Sequence, residues 1–148
     1  MSRVDEAVSL FEQGFSCSQA MLISYGIPLG LTREQACRLG ASLSGGLRLG
    51  ETCGAVAGAI LVLGLCFGHT DPGDKKGKER LDQRVVEFQK RFAQQHSSNL
   101  CRSLLGFDLS RPGELEKARA SGAFKTTCPH YVRSAAELLE SMVPELRE

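Results

Sequence analysis

The chain has 148 residues, a net charge of +1, 42% hydrophobic residues and no Trp. That length suits a single domain able to bury a core without staples, and the near-neutral charge removes the electrostatic argument for nucleic acid or an anionic membrane surface. The opening Met-Ser-Arg-Val-Asp-Glu lacks the apolar core of a signal peptide, and the apolar run 53–67 is shorter than the roughly 20 residues of a membrane helix. The expectation is a cytoplasmic protein with no membrane insertion and no nucleic-acid partner.

Taken in order, residues 3–13 carry Val4, Ala7, Val8, Leu10 and Phe11 at helical spacing and stop at Gly14. Ser16-Cys17-Ser18-Gln19 has the form of a capping box, a hydroxyl with Gln three residues on. It opens a helix that runs to Tyr25-Gly26. Thr32-Arg33-Glu34-Gln35 repeats the device and predicts a helix to about Leu43, with Ala36, Leu39, Ala41 and Leu43 inward. A Gly-rich loop over 44–50 leads into an uncharged helix over about 53–67. Gly54 and Gly58 within it each cost roughly 1 kcal/mol against alanine, which makes sense where another backbone comes close.

The polar stretch from His69 to Gly77 reads as a surface loop, and the basic cluster Lys75, Lys76, Lys78 and Arg80 as solvated. Leu81, Val85, Phe88 and Phe92 then mark an amphipathic helix ending near His96. Ser97-Ser98 are expected to cap a short turn carrying Leu100, Cys101, Leu104 and Leu105. Residues 106–113 form a loop and 114–120 a weak helix. Thr127-Cys128-Pro129 opens the last helix, its buried stripe supplied by Val132, Ala135, Ala136, Leu138 and Leu139. No period-2 strand occurs. The fold expected is an all-α single-domain bundle of about six helices around the central Gly/Ala-rich one.

Six cysteines, at 17, 37, 53, 66, 101 and 128, are more than packing needs in a reducing compartment. The absence of any C-x-x-C pair excludes the thioredoxin motif. Cys17, Cys53, Cys101 and Cys128 all fall in predicted first helical turns, where free N–H groups and the helix dipole lower a thiol pKa. Thiolates serve metal ligation and thiol redox chemistry alike. Cys37 and Cys66, mid-helix among apolar neighbours, read as core. Six buried small hydrophobes would be the plain alternative, but it explains four helix-start positions poorly.

The early Phe15-Ser16-Cys17-Ser18-Gln19-Ala20, then Gly50-Glu51-Thr52-Cys53-Gly54-Ala55-Val56-Ala57-Gly58-Ala59, then the isolated Cys101 and Cys128-Pro129, form a pattern spanning most of the chain. It resembles the redox-active protein family named for its Cys…Gly-Cys-Ala-x-x-Gly…Cys…Cys signature. One departure is the order Cys-Gly-Ala-x-x-Gly around Cys53. The family's cysteines fall on Cys17, Cys53, Cys101 and Cys128. The family is also similar to the non-haem domain of split-Soret cytochromes, which implies a [2Fe–2S] cluster on these four side chains.

Three chemistries stay open on the residues alone. The first is a redox or electron-transfer protein whose four thiolates hold a [2Fe–2S] cluster or one zinc; scattered ligands lean away from structural zinc. The second is a metal-free thiol–disulfide oxidoreductase or redox sensor. The third is an anion-binding module using the 44–50 loop, a weak signal without a phosphate-loop ending. A carrier or sensor is expected over a turnover enzyme, with a redox partner that the basic cluster would dock if that partner were acidic. His69 and His96 read as solvated at helix ends, His130 as a proton donor or alternative ligand, and Glu51 as an exposed acid beside Cys53. The Gly54/Gly58 face can pack within the protomer or across a dimer, and a homodimer is expected.

Overall fold

The computed structural model describes residues 1–147 and is all-α. Its helices are α1 (Arg3–Glu12), α2 (Cys17–Met21), α3 (Arg33–Ala41), α4 (Gly54–Phe67), α5 (Lys75–His96), α6 (Cys101–Leu105), α7 (Glu114–Ser121), α8 (Ala123–Thr126) and α9 (Cys128–Met142). A π turn over Leu22–Gly26 extends α2. With that extension, α1–α5 and α9 are the principal elements, and α6–α8 are short. No helix among the described residues is long and apolar enough to cross a membrane.

Both capping boxes form. Ser16 Oγ accepts from Gln19 N–H at 3.2 Å while Gln19 Oε1 accepts from Ser16 N–H at 2.9 Å. Thr32 and Gln35 make the same reciprocal pair at 3.0 Å each. These contacts satisfy N–H groups that a helix start otherwise leaves open.

The main core has α4 at its centre, packed against α2, α5 and α9, with α1 lying across α9. Ala55, Val56, Ala59, Val62 and Leu63 are fully buried. Gly58 lets α2 approach, since a Cβ there would lie 2.9 Å from the Cβ of Met21. The glycine face is therefore filled within the chain by α2. Where α3 crosses α2, a Cβ on Gly40 would come within 2.6 Å of Gln19 Cα, and the buried Ser18 hydroxyl donates to the Gly40 carbonyl at 2.5 Å. Ala36 and Gly40 are thus the inward residues of α3, and Leu39, expected inside, is 49% exposed.

Two further expectations are corrected. The basic cluster does not lie in a loop: α5 begins at Lys75, because Asp74 caps it by accepting the Gly77 N–H at 2.9 Å. Ser97 does not cap the next helix but ends α5 in a left-handed conformation, and Ser98 Oγ accepts from Leu100 N–H at 2.9 Å.

Fully buried Tyr25 ties the π turn to α9, its hydroxyl donating to Glu140 Oε2 at 2.6 Å. Burial and the neighbouring carboxylate push the phenol pKa up, keeping it a donor. Tyr25→Phe strips Glu140, itself mostly buried, of that donor. The expected loss is about 1.5–3 kcal/mol, read as a lower urea midpoint at unchanged m-value.

Candidate functional site

Four of the six cysteines reach one place by different routes. Cys17, Cys101 and Cys128 are the first residues of α2, α6 and α9. Cys53 is the N-cap of α4, one position earlier than a first-turn residue. The start of α4 is joined to the start of α6 by a feature with no periodic signature. Cys53 N–H donates to the Asn99 carbonyl at 2.8 Å and Cys101 N–H to the Glu51 carbonyl at 2.6 Å. Thr52 and Leu100 thereby face each other in an isolated antiparallel bridge. That bridge sets Cys53 and Cys101 side by side although the whole of α4 and α5 lies between them in sequence.

The loop before it is held in an unusual backbone form. Gly45, Gly46, Leu47, Arg48 and Gly50 all have positive φ. Leu47 and Arg48 cost of order 1–3 kcal/mol each in that region and need support from their surroundings. Arg48 supplies part of it, its guanidinium donating to the Ala41 carbonyl at 2.9 Å and the Ser42 carbonyl at 3.0 Å at the end of α3. On the far side, Glu51 N–H donates to the Gly46 carbonyl at 2.9 Å. The Glu51 side chain pairs with Arg102 at 3.4 Å, exposed, and stands outside the site.

Cys17, Cys53, Cys101 and Cys128 all line one cavity of about 880 Å³. Gly54 makes room for the first of them, because a Cβ on Gly54 would overlap Cys17 Sγ. Tyr131, one turn into α9, also lines the cavity, with its hydroxyl donating to the Leu104 carbonyl at 3.3 Å. Cys37 and Cys66 lie outside, packed against the main core. All six thiols are free.

The charge state of these thiols runs opposite to the sequence expectation. Backbone N–H groups of Ala55 and Val56 do favour the Cys53 thiolate, and that of Ser18 the Cys17 thiolate. Burial outweighs them. It pushes Cys17 well above the ordinary thiol range, raises Cys53, and lifts Cys101 to about 11 and Cys128 to about 12. Negative charge on Cys53 further disfavours ionisation of Cys17, Cys101 and Cys128. Near neutral pH these thiols stay protonated, and a bound cation would favour their thiolates.

This direction carries a test. Because folded pKa values lie above the ordinary thiol value, the reactive thiolate is scarce at pH 8 and appears as pH rises toward 11–12. In metal-free protein, iodoacetamide should label Cys101 and Cys128 roughly ten- to a hundredfold more slowly at pH 8 than a small exposed thiol. The rate should climb through pH 11; mass spectrometry of quenched time points reads it.

The histidines stand apart. His69 is exposed. His96 is half-buried rather than solvated, with Nε2 2.7 Å from Ser134 Oγ and its ring 4.5 Å from that of Phe92. Burial, then His130, lowers its pKa. Exposed His130 meets His96 edge-on at 5.4 Å and does not line the cavity. Among the described residues no group of three or more His, Cys, Asp or Glu side chains is placed so as to hold a metal ion.

Fold and site together define a small helical protein with four cysteines on one cavity. The model of the family described as "Putative redox-active protein (C_GCAxxG_C_C)" matches residues 15–142, and the chain belongs to that family. No curated protein and no solved structure matches the chain.

Proposed function

We propose that the protein is a one-electron carrier or redox sensor whose Cys17, Cys53, Cys101 and Cys128 hold a [2Fe–2S] cluster. The observation that carries this reading is the gathering of four thiols from the starts of α2, α4, α6 and α9 on one cavity. Four thiolates satisfy either a binuclear cluster or one tetrahedral zinc, and ligands scattered over four elements are less usual for structural zinc than paired short spacings. The donor set fits such a cluster: four sulfurs whose ionisation near neutral pH a cation would favour. When bound, the cluster supplies reversible one-electron chemistry.

The chain's own residues do the rest. The Thr52–Leu100 bridge fixes Cys53 beside Cys101, Gly54 admits Cys17, and the Ala55 and Val56 N–H groups favour sulfur-borne charge, which tunes potential. The raised thiols weigh against the metal-free thiol–disulfide alternative, because that chemistry needs an accessible thiolate near neutral pH. A homodimer would have to use a surface other than the glycine face, such as the exposed Leu61 and Leu65 of α4.

The test is electron paramagnetic resonance. Dithionite-reduced protein should give the single-spin signal of a one-electron-reduced binuclear cluster, and Cys53→Ser should lose it. A silent reduced protein with unchanged thiol titre contradicts the reading.

A further inference from the structure

The cavity is far larger than a cluster core of two irons and two sulfides. Its volume of about 880 Å³ lies within the roughly 300–1,000 Å³ range of pockets that bury a small organic ligand. It runs between two hydrophobic cores, the main bundle and a smaller one in which Leu105, Ala118 and Ala123 of α6–α8 are buried. The cysteines occupy part of its wall; Phe11 of α1, Phe15 of the loop after it, Phe124 of α8 and Tyr131 of α9 supply aromatic surface.

Charge on the remaining wall is one-sided. Arg48, Arg119 and Lys125 line the cavity against a single acid, Glu12. Arg48 is committed to the carbonyls at the end of α3. Arg119 of α7 and Lys125 of α8 are exposed, and among the described residues neither side chain has a hydrogen-bond or ion-pair partner.

We propose that this cavity binds a flat aromatic molecule bearing one anionic group, its rings against the four aromatic side chains and its anion between Arg119 and Lys125. Aromatic faces favour a planar partner through offset or edge contacts, and two unpartnered cations favour a carboxylate, sulfonate or phosphate. The ligand would lie next to the four cysteines. Its closeness to a cluster rests on the function proposed above; its binding does not.

The probes are 8-anilinonaphthalene-1-sulfonate and N-phenyl-1-naphthylamine, which share the aromatic body and differ by the sulfonate. Each is titrated by fluorescence into full-length protein as purified anaerobically, with iron measured on the same samples. The sulfonate should bind one per chain. Arg119→Ala/Lys125→Ala should weaken it roughly tenfold, two exposed charge contacts being lost, while the neutral amine is unaffected and iron content is unchanged. Absent or multiple binding of the sulfonate, an unchanged affinity in the double variant, or equal weakening of both probes overturns the proposal. Selective one-to-one binding by iron-free protein would uphold it while removing the cluster.

Discussion

Gly54→Ala should lower stability by about 1–3 kcal/mol, the usual range for an extra methyl forced into a packed site, and should empty the four-cysteine site of iron. Two opposing effects act at this position. Alanine restores roughly 1 kcal/mol of helix propensity to α4, but its Cβ would overlap Cys17 Sγ. Cys17 cannot step aside cheaply. It begins α2, whose N-terminus is fixed by the Ser16–Gln19 capping box, and the neighbouring Ser18 is fully buried with its hydroxyl on the Gly40 carbonyl. Relief must therefore come from the sulfur turning away or from α2 and α4 separating, and either removes one ligand. Chemical denaturation gives the stability change and iron per chain gives the site. Wild-type iron content in a well-folded Gly54→Ala protein would mean that Cys17 is not a ligand.

Gly46→Ala should have an effect of similar size through backbone instead of side-chain packing. Gly46 has φ of 60°, where an L-residue costs roughly 1–2 kcal/mol. A Cβ there would also lie 2.5 Å from Glu51 N and 2.8 Å from Cys101 Cβ. Those atoms belong to the Glu51–Cys101 half of the bridge, so the methyl pushes apart the strand ends that set Cys53 beside Cys101. The expectation is a loss of about 2–4 kcal/mol, conformational cost and overpacking together, with loss of iron. Gly45→Ala is the contrast: its φ is equally left-handed, but its nearest neighbour would be Leu109 Cδ1 at 3.4 Å. It should lose stability without losing iron. Urea midpoints and iron assays on the two variants separate strain in the loop from damage to the site.

Much of the helical frame was legible because its signals are local. A hydroxyl three residues ahead of Gln set the starts of α2 and α3, and Phe88 and Phe92 on one face set the buried side of α5. The close approach at Gly54 and Gly58 was also readable, though not its partner, since small residues say that a neighbour is near and not which one. The Thr52–Leu100 bridge left no trace: two residues show no alternation, and the pairing depends on the left-handed loop before it. The N-cap role of Asp74 was hidden by Pro72 and Gly73 before it and Gly77 after it, which together read as loop. Leu39 shows the limit of periodicity where a glycine, Gly40, is the true contact residue.

The four site cysteines were recognisable from their spacing and from the family pattern, but their charge state was not. Helix starts argue for lowered thiol pKa values, and the N–H groups expected at Cys53 are present. Burial, which only the packed structure supplies, reverses the sign. The cavity's further wall was equally invisible. Arg119 sits in a stretch read as weak helix and Lys125 in one given no assignment, and only the folded chain places both on the cavity that the cysteines line.

The most direct test of the central claim is the iron and acid-labile sulfide content of protein purified without exposure to oxygen. The account predicts about two irons and two sulfides per chain with broad visible absorption, all lost in Cys53→Ala. A colourless wild-type protein with neither iron nor sulfide, whose four thiols cycle to disulfides under mild oxidation, would contradict it.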